Sequence, residues 1–328
     1  MEVRNIALQQ GVIGGYQECW AGESPKPQTL KYLLLLRVRP GREYGGPKWE
    51  LQIDDSVTFA YLTFEYPQST MRKGHARMTQ SVSVVQLKQE TLDAFLAYTA
   101  DAETEMNATL DGSTPFLWSD ENADRARHVR KGDVLSQLWS GQSPVRVPNG
   151  LIHDWIGAIS IRGTTIEKTL ALVQDYDNHK NIYKPDVMDS RLISHHGNDF
   201  IIYLRLLKKK IITVVLDTEH DVHYQRVDDH QWFLRSHTTR IAEVDDAGTA
   251  KEKVYPPDTG YGFLWRLYSY WKFMGREDAV IVECRAVSLT RDVPLGLGWI
   301  IEPIINSLPR ESLLNTLKAT RQALMVSP

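Results

Sequence analysis

Between residues 187 and 292 the chain strings together six strand-like segments: 187–195, 200–207, 211–227, 231–244, 262–275 and 279–292. The breaks are short and polar: His196-Gly197-Asn198-Asp199, Lys208-Lys209-Lys210, Asp228-Asp229-His230 and Arg276-Glu277-Asp278, with a longer loop at 245–260 joining the fourth segment to the fifth. Parallel neighbours need crossovers of a dozen residues or more, so breaks this short force antiparallel hairpins. A strand at 151–161 and a helical pair precede the run, and a helical tail at 297–324, interrupted at Pro309 with Ser307 as second cap, follows it. The fold class is therefore α+β, with an antiparallel sheet and a long C-terminal helix. Half of that sheet is expected to face the helix and half to face solvent.

Upstream the signals change. Residues 1–75 carry Gly-Pro punctuation around two strand candidates, 29–38 and 57–66. They read as an accessory β unit, a poorly ordered segment, or sequence ahead of a true start at Met71 or Met78. From Leu87 the pattern turns helical: Leu92, Phe95, Leu96, Met106 and Leu110 form one stripe, and Gly112 is a stop signal. A second, basic helix is predicted over 121–131, capped by Ser119 or Asp120 and ended by Gly132. Its Arg125, Arg127, Arg130 and Lys131 read as a solvated face or as an anion-contact surface. Thr164 and Glu167 have capping-box spacing ahead of a helix that buries Ile166, Leu170 and Val173. The boundaries that follow are an N-terminal segment at 1–80, a helical accessory segment at 81–148 and a main domain at 149–328.

Composition excludes several classes of function. Hydrophobic residues at 42% supply a core, and a net charge of −3 gives no global field for nucleic acid or an anionic membrane. The apolar run Leu33–Leu36 is far shorter than the ~20 residues of a spanning helix. No export signal is visible, so the default compartment is the cytoplasm, with export if the true start differs. Cys19 and Cys284 offer neither a disulfide framework nor a thiolate metal site. No nucleotide loop, metalloprotease helix, nucleophile elbow or calcium loop is present, and no cofactor is expected.

Period-two alternation divides each strand into two faces. Trp265, Leu267, Trp271 and Phe273 share one face of their strand; Cys284, Ala286 and Ser288 share one face of the last. Thr218 and His220, and Trp232, Ser236 and Arg240, fall with them on the inner side. Apolar walls with a few convergent polar groups suit a small-molecule pocket; tight packing around the tryptophans is the other reading. The expected cavity-facing set is Trp232, Arg240, His220, Trp265, Leu267, Trp271, Cys284 and Ser288, with Trp299 and Ile304 contributed by the terminal helix. His220 and Arg240 on adjacent strands would form a proton-transfer and oxyanion pair in an enzyme, with Glu302 as an alternative partner for the arginine. Asp217, Glu219, Asp221 and His223 crowd one strand, but they project outward while His220 points away, so no metal site is expected. Lys208–Lys210 is a polar hairpin connection that could also touch lipid headgroups.

The order of elements resembles the helix-grip fold of the START-like (SRPBCC) superfamily, which includes polyketide cyclases, the birch-pollen allergen family and ubiquinone-binding START proteins. Residues 150–325 carry the resemblance. Its local phrases are Gln174-Asp175-Tyr176-Asp177 after the first helix and Ser288 to Pro294 at the end of the last strand. Gly298-Trp299 through Pro303 and Leu308-Pro309-Arg310-Glu311-Ser312-Leu313 look like the superfamily's terminal helix. Stretches 209–220 and 262–271 look like a bacterial branch with a helical N-terminal segment. The resemblance implies a curved sheet gripping the helix around an elongated apolar cavity. It also implies binding or carriage of a lipid, quinone or polyketide-like molecule. Separately, the apolar surface of Trp299, Ile300, Ile301, Ile304 and Ile305 on the terminal helix gives transient membrane-surface contact as a further expectation. A cyclase or aromatase using the same cavity, and a ligand-free interaction module, are the alternatives.

Overall fold

The computed structural model describes residues 84–292 except 142–143 and 210–212, the helix that starts at Gly298, and four strands nearer the N-terminus. Side chains of the terminal helix are described from Ser307 to Met325. The chain divides into two units, Met1–Ser83 and Val84–Pro328. The first holds an antiparallel sheet in sequential order, β1 (Tyr16–Glu23), β2 (Tyr32–Val38), β3 (Lys48–Ile53) and β4 (Ala60–Glu65). β2 and β4 coincide with the two strands read from the sequence. β1 and β3 lie among turn-forming residues that hid them.

The second unit opens with β5 (Val85–Gln86), α1 (Gln89–Leu110), a 3₁₀ turn (Trp118–Glu121) and α2 (Ala123–Lys131). Then come β6 (Leu135–Leu138), β7 (Val145–Val147), β8 (Gly150–Arg162), α3 (Ile166–Gln174), a 3₁₀ turn (Tyr176–Asn178) and α4 (His179–Ile182). The hairpin run is β9 (Val187–His196), β10 (Asp199–Lys209), β11 (Thr213–Arg226) and β12 (Gln231–Asp245). The short β13 (Lys253–Val254) and β14 (Thr259–Gly260) interrupt it before β15 (Arg266–Gly275) and β16 (Ala279–Arg291), and α5 (Gly298–Val326) ends the chain. The main sheet runs β6-β8-β16-β15-β12-β11-β10-β9, antiparallel at every pairing. This is the helix-grip arrangement: a curved antiparallel sheet wrapped around a long C-terminal helix, with a helical segment ahead of it.

Three local readings shift. Asn122, not Ser119 or Asp120, caps α2, its side-chain oxygen accepting from the amides of Asp124 and Arg125; the earlier residues are spent in the 3₁₀ turn. Thr165, one residue past the expected cap, accepts from Lys168 N. α5 is continuous through Pro309. A proline removes one helical hydrogen bond, and the packing of Leu313, Leu317 and Leu324 into the sheet's core carries the helix across that gap. Contact there is close: a methyl group on Gly157 of β8 would lie 2.8 Å from Leu317 Cδ1 and 3.2 Å from Leu313 Cδ2.

The larger correction concerns the outer face. It is not open to solvent along its centre, because α1 lies across it. Phe95, Ala102 and Met106 of α1 pack with Ile152, Phe233, Tyr270, Val287 and Leu289 in a second core. Glu283 and Arg285, which alternation along β16 turns outward, are consequently buried. Arg285, 3% exposed, forks onto Asp154, 1% exposed, with Nη2 to Oδ2 at 2.7 Å and Nε to Oδ1 at 3.1 Å. Its remaining amine reaches Glu105 of α1 at 3.0 Å, and the guanidinium stacks 4.0 Å over Trp139. Glu283 accepts from the amides of Trp118 and Ser119 at 2.8 and 2.9 Å, and burial raises its pKa. Lys272 Nζ donates to Thr109 Oγ1 of α1 at 2.6 Å, with burial pushing the amine down to about 8. Tyr98 and Tyr270 complete the joint through Asp154 and Glu103.

Removing one member of a buried ion pair strands the other, which costs about 3–5 kcal/mol. Arg285→Leu is therefore expected to lower stability by that amount in urea unfolding, and Asp154→Leu/Arg285→Leu to recover part of it. A loss below about 1 kcal/mol in the single variant would show that the pair does not anchor α1.

Candidate functional site

Cross-strand register fixes which inner-face residues stand side by side. One rung crosses the sheet through His153, Ser288, Leu267, Thr238, His220 and Ile202, neighbours by register except that Leu267 N donates to Thr238 Oγ1 at 3.0 Å. The next holds Trp155, Ala286, Ser269, Ser236 and Val222. The third holds Gly157, Cys284, Trp271, Leu234 and Tyr224. The first two are therefore a band of small side chains, Ser236, Thr238, Ser269, Ala286 and Ser288, bordered by rings and imidazoles.

Packing differs along this face. Toward α3, Ile159, Ile161, Phe273, Val280, Val282 and Cys284 are closed over by Leu313, Leu317 and Leu324 of α5. Along the small-residue band and its border, Trp155, Leu204, Leu267, Ser269, Trp271 and Ala286 keep part of their surface accessible. Trp271 Nε1 donates to Ser269 Oγ at 3.1 Å, which turns the indole along the band.

The histidines of the first rung are neutral. Thr218 Oγ1 donates to Leu204 O at 3.0 Å, so it accepts from His220 Nε2 at 3.0 Å; His220 Nδ1 then accepts from Ser236 Oγ at 3.2 Å. Burial lowers the His220 pKa to about 4. His153, 0% exposed, pairs Nε2 with Thr290 Oγ1 at 3.3 Å, and burial likewise brings it to about 4.

Of the residues chosen from alternation, His220, Leu267 and Ser288 share the first rung, Trp271 and Cys284 are cross-strand partners in the third, and Trp232 sits one rung beyond, beside Phe273. Two are elsewhere. Arg240 lies on the outer face, 3.6 Å from Glu219. Thr239 is an extra residue in β12, because His220 pairs with Thr238 and Glu219 with Arg240, and a bulge of one residue reverses the facing of everything beyond it. The His220–Arg240 pair expected for a cyclase-type reaction is thereby separated. Trp265 belongs to the outer core with Phe95 and Val287, 4% exposed. β15 begins at Arg266, so alternation does not extend to Trp265, whose amide bonds Leu289 O at 2.7 Å. Trp299 and Ile304 fall in the first turns of α5, and their side chains, like that of Glu302, lie outside the described residues.

His153 and Trp155 escaped the sequence reading. Their strand is covered on both sides, so Leu151-His153-Trp155 and Ile152-Asp154-Ile156 show no apolar–polar contrast to tell the faces apart. A pocket of about 30 Å³ lies on the opposite face, between α1 and Tyr270, Lys272 and Arg285. It has room for one or two waters and is not the candidate site. Lys208 is a strand residue paired with Asp186 at 2.7 Å. Among the described residues no group of three or more histidine, cysteine or acidic side chains is placed to hold a metal, and no helix is long and apolar enough to cross a membrane.

The model of no protein family matches this chain, and no curated protein matches it in sequence. Solved structures do. A STAR-related lipid transfer protein from Xanthomonas axonopodis is similar over 56% of this chain and 98% of its own, with 17% identity and a TM-score of 0.39. The Zhui aromatase/cyclase of Streptomyces sp. R1128 is similar over 53% and 94%, with 6% identity and a TM-score of 0.39. Human STARD10 is similar over 62% and 80%, with 9% identity and a TM-score of 0.34.

The neutral histidines give the fold an acid limit. A histidine whose folded pKa lies below its unfolded value of 6.5 contributes stability above pH 6.5 that is lost as pH falls towards 4, about 3 kcal/mol for a shift of this size. The thermal midpoint is expected to drop between pH 6.5 and 4, and to drop less steeply in His220→Gln. Parallel pH profiles for wild type and variant would refute the assignment.

Proposed function

We propose that this protein binds a hydrophobic small molecule, of lipid, quinone or polyketide-like character, against the inner face of the sheet beneath α5. The observation that carries this is the contrast along that face. Where α5 closes the sheet the apolar side chains are sealed; along the small-residue band and its border Trp155, Leu267, Trp271 and Ala286 keep accessible surface. Rings standing beside serines and an alanine give the apolar walls and few polar groups that suit a small-molecule guest. Burying an apolar ligand there returns about 25 cal/mol for each Å² removed from water.

Binding and carriage, rather than turnover, fits the chemistry of the band. His220 has both nitrogens satisfied and is neutral near pH 7, and the arginine that would have met an oxyanion faces outward. The inner-face thiol of Cys284 is no nucleophile, because burial raises it away from the thiolate form.

Titration with 1-aminoanthracene, whose emission rises in an apolar site, tests the reading. Wild type is expected to bind it saturably, and Ala286→Leu/Ser269→Leu, which fills the band, to bind at least tenfold more weakly while keeping the wild-type thermal midpoint. Equal binding by the filled variant would place the ligand elsewhere, and absence of saturable binding in wild type would reject the function.

A further inference from the structure

Two polar atoms in the band have no partner. His153 Nδ1 and Trp155 Nε1 are both inaccessible, and neither makes a hydrogen bond. A buried polar group left unpaired costs about 1–3 kcal/mol, and native proteins leave few of them. These two are on one face of one strand, two residues apart, which separates their backbones by about 7 Å.

Their polarities are opposite. Thr290 Oγ1 donates its single proton to Arg291 O at 3.2 Å, so toward His153 it can only accept. The proton of the neutral imidazole is therefore on Nε2, and Nδ1 presents a lone pair. An indole nitrogen can only donate. Two neighbouring inner-face positions of β8, opposite Ser288 and Ala286, thus carry one unpaired acceptor and one unpaired donor.

Resting on the ligand-binding reading above, we infer that the ligand carries both a hydroxyl and a carbonyl oxygen, the hydroxyl donating to His153 Nδ1 and the carbonyl accepting from Trp155 Nε1. A pure hydrocarbon would leave both atoms unpaired. A carboxylate would satisfy the indole but set its charge against the imidazole lone pair. A hydroxy-ketone on an apolar frame satisfies both.

A matched set of fluorescent naphthalenes tests this: 6-acetyl-2-naphthol carries both groups, 2-acetylnaphthalene only the carbonyl, and 2-naphthol only the hydroxyl. Wild type is expected to bind 6-acetyl-2-naphthol at least tenfold more tightly than either single-group compound, in line with the worth of one well-made hydrogen bond. Trp155→Phe should abolish the advantage conferred by the carbonyl, and His153→Phe that conferred by the hydroxyl. In wild type, where no variant can misfold, the ¹⁵N–¹H signal of the Trp155 indole should move downfield with the two carbonyl compounds and stay in place with 2-naphthol. Equal affinity for all three compounds would overturn the inference while leaving apolar binding intact. So would 2-naphthol binding as tightly as 6-acetyl-2-naphthol, which would mean that one hydroxyl bridges both nitrogens. Failure of all three to bind would instead reject the ligand-binding reading itself.

Discussion

The fork of Arg285 onto Asp154 is the contact on which the second unit's architecture turns. A guanidinium and a carboxylate this deeply buried are tolerable only when paired and hydrogen-bonded on their remaining sides. Those sides are met by Glu105 and Tyr98 of α1 and by the face of Trp139. The ion pair thereby welds the helical segment to the outer face of the sheet. Glu283 does the same for the next segment, taking the two free amides at the start of a 3₁₀ turn. With the outer face sealed, β8 and β16 are buried on both sides, and the inner face is free to be specialised.

That specialisation is one of size. From the third rung onward the inner face meets the leucines of α5, where Gly157 lets Leu317 approach the sheet closely. The first two rungs carry Ser236, Thr238, Ser269, Ala286 and Ser288 between larger side chains. The leucines of α5 close the large end of this face, and the small-residue band is where the proposed apolar guest would sit. The polar groups there are quiet: His220 is locked neutral between Thr218 and Ser236, which suits recognition better than proton transfer.

Much of this was legible in the sequence. Short polar breaks fixed the antiparallel run, and alternation put His220, Leu267, Trp271, Cys284 and Ser288 on the inner face, where the register places them. The failures share a cause: period two is a local rule that one residue can reset. Thr239 adds that residue inside β12 and sends Arg240 outward, and the start of β15 at Arg266 sends Trp265 into the outer core. The burial of Glu283 and Arg285 was illegible for another reason. Alternation says which residues share a face, but only the tertiary placement of α1 says whether that face meets water. His153 and Trp155 were hidden by the same two-sided burial.

The most direct test is a crystal structure of the full chain soaked with 2-acetylnaphthalene. Ligand density is expected on the inner face, in contact with Trp155, Ser269 and Trp271 and beneath the first half of α5. Density confined to the outer face near Lys272, or an inner band filled by protein side chains with no density, would contradict it.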